Sequence, residues 1–197
     1  MRRGMASPAP VLLTIGHFYG TLAAARCLGR AGVPVTLADP HRLAPARWSR
    51  HVSRRVSCPE IHDVDAFLAF LLEFGARSPG HVLLPTSDDG AWLFAEHREA
   101  LSAHYRLIPT PFTAAETLLD KRLLTEACHA VGLSTPETWF PTTAEEAVAI
   151  GREAGPPLLL KPRTQVLHPS GAKGVLLEDL ADLGARFRAL SAEDAYG

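Results

Sequence analysis

The 197-residue sequence is short of the groups that tie a chain to an oxidising compartment, a membrane or a polyanion. Its three cysteines, Cys27, Cys58 and Cys128, are far apart and odd in number, and no CxxC pair occurs. Such a set argues against a disulfide framework and for a reducing, cytoplasmic setting. The formal net charge of -1 gives no reason to expect nucleic acid or an anionic membrane as partner. No apolar run approaches the ~20 residues of a membrane span. Val11 to Ile15 is too short to serve as the core of a signal peptide behind Arg2 and Arg3. Internal repeats and low-complexity tracts are missing, and so is a full dinucleotide fingerprint. Gly16 and Gly20 stand at the first strand–helix turn, but Phe18 occupies the middle-glycine position of G-x-G-x-x-G. Its side chain would hinder a pyrophosphate lying on the backbone. Asp39 stands at a plausible distance for a ribose-binding acid, so a dinucleotide-dependent oxidoreductase stays as a lesser alternative.

What the chain does have is enough apolar content, 47%, for a sizeable core. Residues 1–10 read as a disordered lead-in. Val11 to Ile15 reads as a buried strand, Thr21 to Ala31 as a helix closed by Gly32, and Val33 to Ala38 as a second strand ending at Asp39. This βαβ unit implies a parallel sheet. Val52 to Ser57, His81 to Pro85 and Tyr105 to Ile108 supply further strands, and Val64 to Ala76, behind the N-cap Asp63, and Ala91 to Leu101 supply helices. Asp88 and Asp89 follow the third clear strand, where ligands of open α/β sheets collect, and either one also suits the cap of the next helix. The basic run Arg42, Arg47, Arg50, Arg54 and Arg55, with His41 and His51, reads as a solvated loop or as an anion site. Cys58 and His62 offer only two ligands where a metal centre needs three or four.

The second half starts with a capping-box spacing at Thr113–Glu116 and a short helix ending near Leu119. Asp120 is a sensible N-cap for a helix Lys121 to Val131, closed by Gly132. Lys121 itself is misplaced in a first turn that already carries partial positive charge, and solvent or an anion must ease it. A second capping box, Thr143–Glu146, opens a helix running to about Ala154. Leu158, Leu159 and Leu160 then read as a buried strand with Lys161 at its end. A polar, glycine-containing run from Thr164 to Gly174 leads to a return strand, Val175 to Leu177, and Leu180 to Leu190 reads as a last helix with Leu183, Phe187 and Leu190 facing inward. A buried ammonium is costly unless an anion meets it, and loop amides can cap phosphate oxygens. The alternative is a β-hairpin with a long loop and a snorkelling lysine.

Taken in order, Asp120-Lys121, Gly132-Leu133-Ser134-Thr135-Pro136-Glu137-Thr138, Pro157-Leu158-Leu159-Leu160-Lys161-Pro162 and Gly171-Ala172-Lys173-Gly174-Val175 resemble the opening of an ATP-grasp domain. The segment before them resembles the pre-ATP-grasp domain, and Ser49-Arg50-His51-Val52 and Pro85-Thr86-Ser87-Asp88-Asp89 are similar to the carbamoyl-phosphate-synthase-like and carboxylate–amine ligase branch. The resemblance implies an α/β fold: a Rossmann-like parallel-sheet domain over residues 11–112, followed over residues 113–197 by the first, incomplete α+β lobe of an ATP-grasp domain. It implies an ATP-dependent ligase, in which a carboxylate becomes an acyl phosphate and an amine, or less often a thiol, displaces the phosphate. Lys121 and Lys161 would contact the ATP phosphates. The loop carrying Ser170, Gly171, Lys173 and Gly174 would close over them, with Lys173 as an extra contact. The run Val166-Leu167-His168-Pro169 makes that loop longer and stiffer than the family's plain glycine run. Gly16, His17, Asp88 and Asp89 would face the carboxylate substrate. No residue is assigned as catalytic.

The family's Mg2+ ligands and adenine-reading segment are expected in a second lobe beyond Gly197. The sequence is accordingly expected to be the N-terminal part of such an enzyme, inactive alone, and to work as a homodimer or with a separate C-terminal piece. A non-catalytic module binding a small ligand or a subunit is the alternative from a different class.

Overall fold

The computed structural model describes residues 7–167 and 173–193. They fall into two compact units, Met1–Phe112 and Thr113–Gly197.

The first unit is built on five parallel strands: β1 (Val11–Thr14), β2 (Val35–Ala38), β3 (Arg54–Val56), β4 (Val82–Leu83) and β5 (Arg106–Leu107). Their order is β3-β2-β1-β4-β5. β1 is central, with Val11 opposite both Val35 and Val82. Its four residues are all buried, as a strand covered on both faces must be. Val11 and Leu13 join Ala25, Val35 and Leu37 in one cluster, which includes residues of α1 (Tyr19–Arg30) and of the 3-10 turn Pro45–Trp48. Leu12 joins Phe67, Leu71 and Phe74 of α2 (Val64–Arg77), Leu93 of α3 (Asp88–Glu96) and Leu101 of α4 (Arg98–Ser102) in the other. Ile15 should face the Leu13 side by strict alternation, yet it packs in the Leu12 cluster. Its φ of 57° reverses the alternation one residue after the strand ends.

Several boundaries differ from the sequence reading. Residues 1–6 lie outside the described residues, but the lead-in does not extend to Pro10, whose carbonyl accepts the Val82 amide at 2.8 Å. α1 begins at Tyr19, so Tyr19 and Gly20 belong to the helix and not to the turn. The segment read as one helix, Ala91 to Leu101, is two, α3 and α4, broken at His97. Neither Asp88 nor Asp89 caps α3. Ser87 does, accepting from the Gly90 amide at 3.1 Å, and the two aspartates occupy the first turn.

The second unit contains α5 (Phe112–Leu119), which begins at the last residue of the first unit, then α6 (Lys121–Ala130), α7 (Ala144–Ala154), the strands β6 (Leu158–Leu160) and β7 (Val175–Leu177), and α8 (Leu183–Glu193). β6 and β7 pair antiparallel in register Leu158↔Leu177, Leu159↔Leu176, Leu160↔Val175. α7 and α8 pack together, with Leu183 buried and Phe187 and Leu190 half-buried. The capping box at Thr143–Glu146 forms with an extension: Thr143 accepts from the Glu146 amide, and the Glu146 carboxylate reaches back chiefly to the amide and hydroxyl of Thr142. The capping box at Thr113–Glu116 does not form. α5 starts one residue earlier, and the Thr113 carbonyl accepts from the Thr117 hydroxyl inside the helix.

Candidate functional site

In the first unit the chain runs outward from β1 in both directions, so the sheet has its topological switch between β1 and β4. Open α/β sheets bind ligands in the crevice beyond the C-terminal ends of such strands. Two loops meet there, Gly16–Phe18 after β1 and Pro85–Ser87 after β4. A hydroxyl network joins them. Thr21 Oγ1 donates to the Ile15 carbonyl at 2.8 Å, and it shares a 2.6 Å hydrogen bond with Thr86 Oγ1. Thr86 Oγ1 also lies 3.3 Å from the Thr14 carbonyl. The sequence reading missed Thr21 and Thr86. The one available signal was a threonine inside an otherwise apolar helix stripe. Next to this network Ile15 holds a left-handed backbone that β-branched residues rarely adopt, a strain that persists where its surroundings fix it.

Gly16 is buried at this edge. Its amide donates to Asp39 Oδ2, and its carbonyl accepts from the Ala46 amide at 2.9 Å. A Cβ here would lie 2.9 Å from Asp39 Oδ2 and 3.0 Å from Leu37 Cδ2. With both backbone groups engaged, Gly16 shapes the turn. Asp39 is fully buried, and its other oxygen accepts the His41 amide at 2.7 Å. The acid weighed as a ribose ligand is thus a structural tie, which removes the main support for a dinucleotide site. His17 is exposed and lines a depression of about 470 Å3 together with His41, Arg42 and Leu43. The His17 and His41 rings meet edge to face at 5.9 Å, and His41 pairs with Glu60 at 3.2 Å. Asp88 is exposed, and Asp89 is half-buried.

Among the described residues no group of three or more His, Cys, Asp or Glu could hold a metal ion. At Cys58 burial pushes the thiol up to about 12, and the nearby Asp39 and Glu60 carboxylates add to the rise. A thiol so held is a poor metal ligand, because ligation needs the thiolate.

In the second unit a clasp joins segments more than forty residues apart. Asp120 caps α6 through Oδ1, which accepts from the Arg122 amide at 2.8 Å and the Leu123 amide at 3.0 Å. Its Oδ2 takes Arg163 Nε at 2.5 Å. The Arg163 carbonyl accepts the Lys121 amide at 3.0 Å and Lys121 Nζ at 3.2 Å. Lys121 and Lys161 therefore sit on adjoining segments, since the carbonyl that receives the Lys121 ammonium is two residues beyond Lys161.

Lys161 itself is exposed, so the expectation of a buried strand ending in a buried ammonium is corrected. Leu158 and Leu160 are half-buried, and Leu159 is 57% exposed. A two-stranded ladder covered on one side leaves its alternate residues in solvent. The stem of Lys161 lies against Gly174, where a Cβ would meet Lys161 Cγ at 2.8 Å. Lys161 and Gly174 are thereby brought together just past the last ladder pair. Lys173 is exposed beside them. Ser170 and Gly171 fall outside the described residues.

No family model matches the chain. It is 28% identical over 164 residues to the formate-dependent phosphoribosylglycinamide formyltransferase of Corynebacterium jeikeium (strain K411), a match covering 82% of this chain and 37% of the relative. Among solved structures it is similar to the L-amino acid ligase from Bacillus licheniformis, with a TM-score of 0.68 at 19% identity over 95% of this chain and 43% of the other. It is also similar to N5-carboxyaminoimidazole ribonucleotide synthetase in its ADP complex, with a TM-score of 0.69 at 17% identity over 98% and 47%. The chain thus spans less than half the length of each of these proteins. All three are ATP-grasp enzymes, and the resemblance read from the motifs is shown at the level of the fold.

Proposed function

We propose, from the ATP-grasp fold as premise, that this chain is the nucleotide- and substrate-binding front portion of an ATP-dependent ligase that joins a small carboxylate to an amine. The observation that carries the reading is the juxtaposition of Lys121, Lys161 and Gly174 around one clasp in the second unit. ATP, when bound, supplies the γ-phosphoryl group that turns a carboxylate into an acyl phosphate.

The residues present suit a polyphosphate. Lys121 and Lys161 supply two ammonium groups from adjoining segments, Lys173 adds a third cation beyond the ladder, and Gly174, lacking a side chain, makes room for the Lys161 stem. Phosphoryl transfer depends mainly on positioning and charge neutralisation, which such a set provides. Ser170 and Gly171 join the set on sequence grounds alone. On the substrate side, the switch-point crevice in the first unit is the place for the carboxylate. His17 would contact it, Gly16 would shape the turn, and Asp88 and Asp89 would favour a cationic or hydrogen-bond-donating portion of the substrate. Mg2+ would accompany ATP, and this reading assigns it no ligand among the described residues. A cytoplasmic setting and a homodimer complete the proposal.

A non-catalytic module is the second reading. It draws on Leu159 and Leu176, an outward-facing cross-strand pair 57% and 61% exposed, which suits a surface covered by a protein partner. Titration of the chain with ATP, before and after Lys161→Ala, separates the two. Micromolar ATP binding lost by about tenfold or more in the variant supports the ligase reading, by the worth of one charge-assisted contact. Binding that the substitution leaves unchanged favours the module, and preferential binding of NAD(P) would revive the oxidoreductase.

A further inference from the structure

Resting on the ATP reading, we propose that Arg163 is a positioning residue for Lys121, holding its ammonium on the Lys161 side of the site without touching phosphate itself. The backbone amides at the start of α6 already have partners. The Lys121 amide goes to the Arg163 carbonyl, and those of Arg122 and Leu123 go to Asp120 Oδ1. An anion arriving at Lys121 therefore meets no open first-turn amides, unlike at an ordinary helix N-terminus. The lysine side chain is what can grip it.

That side chain has its direction set by the same clasp. An ammonium has three N–H donors, and one is placed on the Arg163 carbonyl, next to the segment that carries Lys161. The carbonyl is held in turn, because the guanidinium of the same residue pairs with Asp120 Oδ2, and Asp120 is fixed by its two cap bonds. The ring closes through four groups: Asp120 carboxylate, Arg163 guanidinium, Arg163 carbonyl, Lys121 ammonium. Removing the guanidinium leaves the Arg163 peptide held to α6 by the Lys121 amide alone, and so loosens the carbonyl on which the Lys121 ammonium rests. The ion pair also offsets the Asp120 charge next to an incoming polyphosphate. The Asp120 side chain is only 12% exposed and that of Arg163 42% exposed, so the pair is partly shielded from solvent.

The test is a double-mutant cycle in nucleotide affinity. ATP and adenosine are titrated by calorimetry against the wild type, Arg163→Ala, Lys121→Ala, the double variant and Arg163→Lys, with circular dichroism to check that each folds. Arg163→Ala is expected to weaken ATP about tenfold and adenosine less than about twofold, since only the phosphates meet Lys121. The double variant should bind ATP within about twofold of Lys121→Ala alone, because residues acting through one another are non-additive. Arg163→Lys should recover most of the loss. If Arg163→Ala does not fold, Asp120→Asn gives the same reading, since it keeps a good N-cap and removes the charge that holds Arg163. Unchanged ATP affinity, fully additive losses, or equal loss of ATP and adenosine would each overturn the positioning role. Failure of the wild type to bind ATP would instead overturn the ligase reading on which this role rests.

Discussion

At the scale of single residues, the turn after β1 depends on one buried carboxylate. Asp39 accepts two backbone amides, from Gly16 and His41, with no exposure of its own. Asparagine offers one acceptor in place of two and turns an NH2 toward a donor. Asp39→Asn is therefore expected to cost about 1.5–3 kcal/mol in urea unfolding, the range for hydrogen bonds to a charged group. Gly16→Ala should cost about 1–3 kcal/mol by overpacking against Asp39 and Leu37. Cys58 gives a pH dependence. Its folded value, about 12, lies above that of an unfolded thiol, near 8.5. Its contribution to stability is thus complete below pH ~8.5 and falls away as pH rises toward 12. Cys58→Ser should flatten that alkaline slope in melting curves. The same shift should make Cys58 react with iodoacetamide at pH 8 at least ~100-fold more slowly than exposed Cys27, as followed by mass spectrometry. Some of this scale was legible in the sequence. Asp63 and Asp120 announce themselves as caps because their partners lie two or three residues ahead. The role of Asp39 was not legible, because one of its partners lies 23 positions back and only the folded turn brings the two together.

At the scale of elements, the two capping motifs had opposite outcomes for a local reason. Pro111 precedes Phe112, where α5 already begins, so Thr113 falls inside the first turn and cannot cap it. Thr143 stands just ahead of α7 and does cap it. Thr143→Ala is expected to lower the unfolding free energy by about 1 kcal/mol in denaturant titration. Glu146 adds a pH term, since hydrogen bonds from the Thr142 amide and hydroxyl hold its carboxyl below the usual range. That help is present above the ordinary glutamate value and is lost as pH falls through the lowered one. Glu146→Gln should show less loss of stability in mild acid than the wild type. Helix existence was readable from apolar spacing, whereas the break at His97 between α3 and α4 was not. The polar run Glu96-His97-Arg98-Glu99 spans it, and such a run also suits the solvent side of one continuous helix, with no proline or glycine to mark a break.

At the scale of the molecule, parallel pairing followed from the βαβ rhythm, because strands joined through helices run the same way, whereas the order β3-β2-β1-β4-β5 came only with the structure. The faces of the β6–β7 hairpin did not follow. Leu158 to Leu160 and Val175 to Leu177 are apolar throughout, so their pattern gives no inside and outside. The structure puts Leu177 inside, 5% exposed, and Leu159 and Leu176 outside. Replacing both Leu159 and Leu176 with threonine is expected to shift the unfolding free energy by no more than about 0.5 kcal/mol, as surface changes do. Leu177→Thr should cost about 2–4 kcal/mol, a lost apolar side chain plus a buried hydroxyl. The candidate site was half legible for the same reason. Lys121 and Lys161 stand out as charges at element ends, but the clasp through Arg163 is visible only once two distant segments lie side by side.

A hairpin whose strands are greasy on both sides could slide by one residue without an obvious loss of burial, and every side chain would then change faces. What pins this one is not its hydrophobicity but a gap at its open end. Gly174 adopts a φ of 151° and lets the Lys161 stem and the Leu160 carbonyl come within 3.0 Å of where a side chain would begin. Only one alignment puts a residue without a side chain at that point. The missing methyl therefore acts as an index mark, keeping Lys161 on its own side of the ladder.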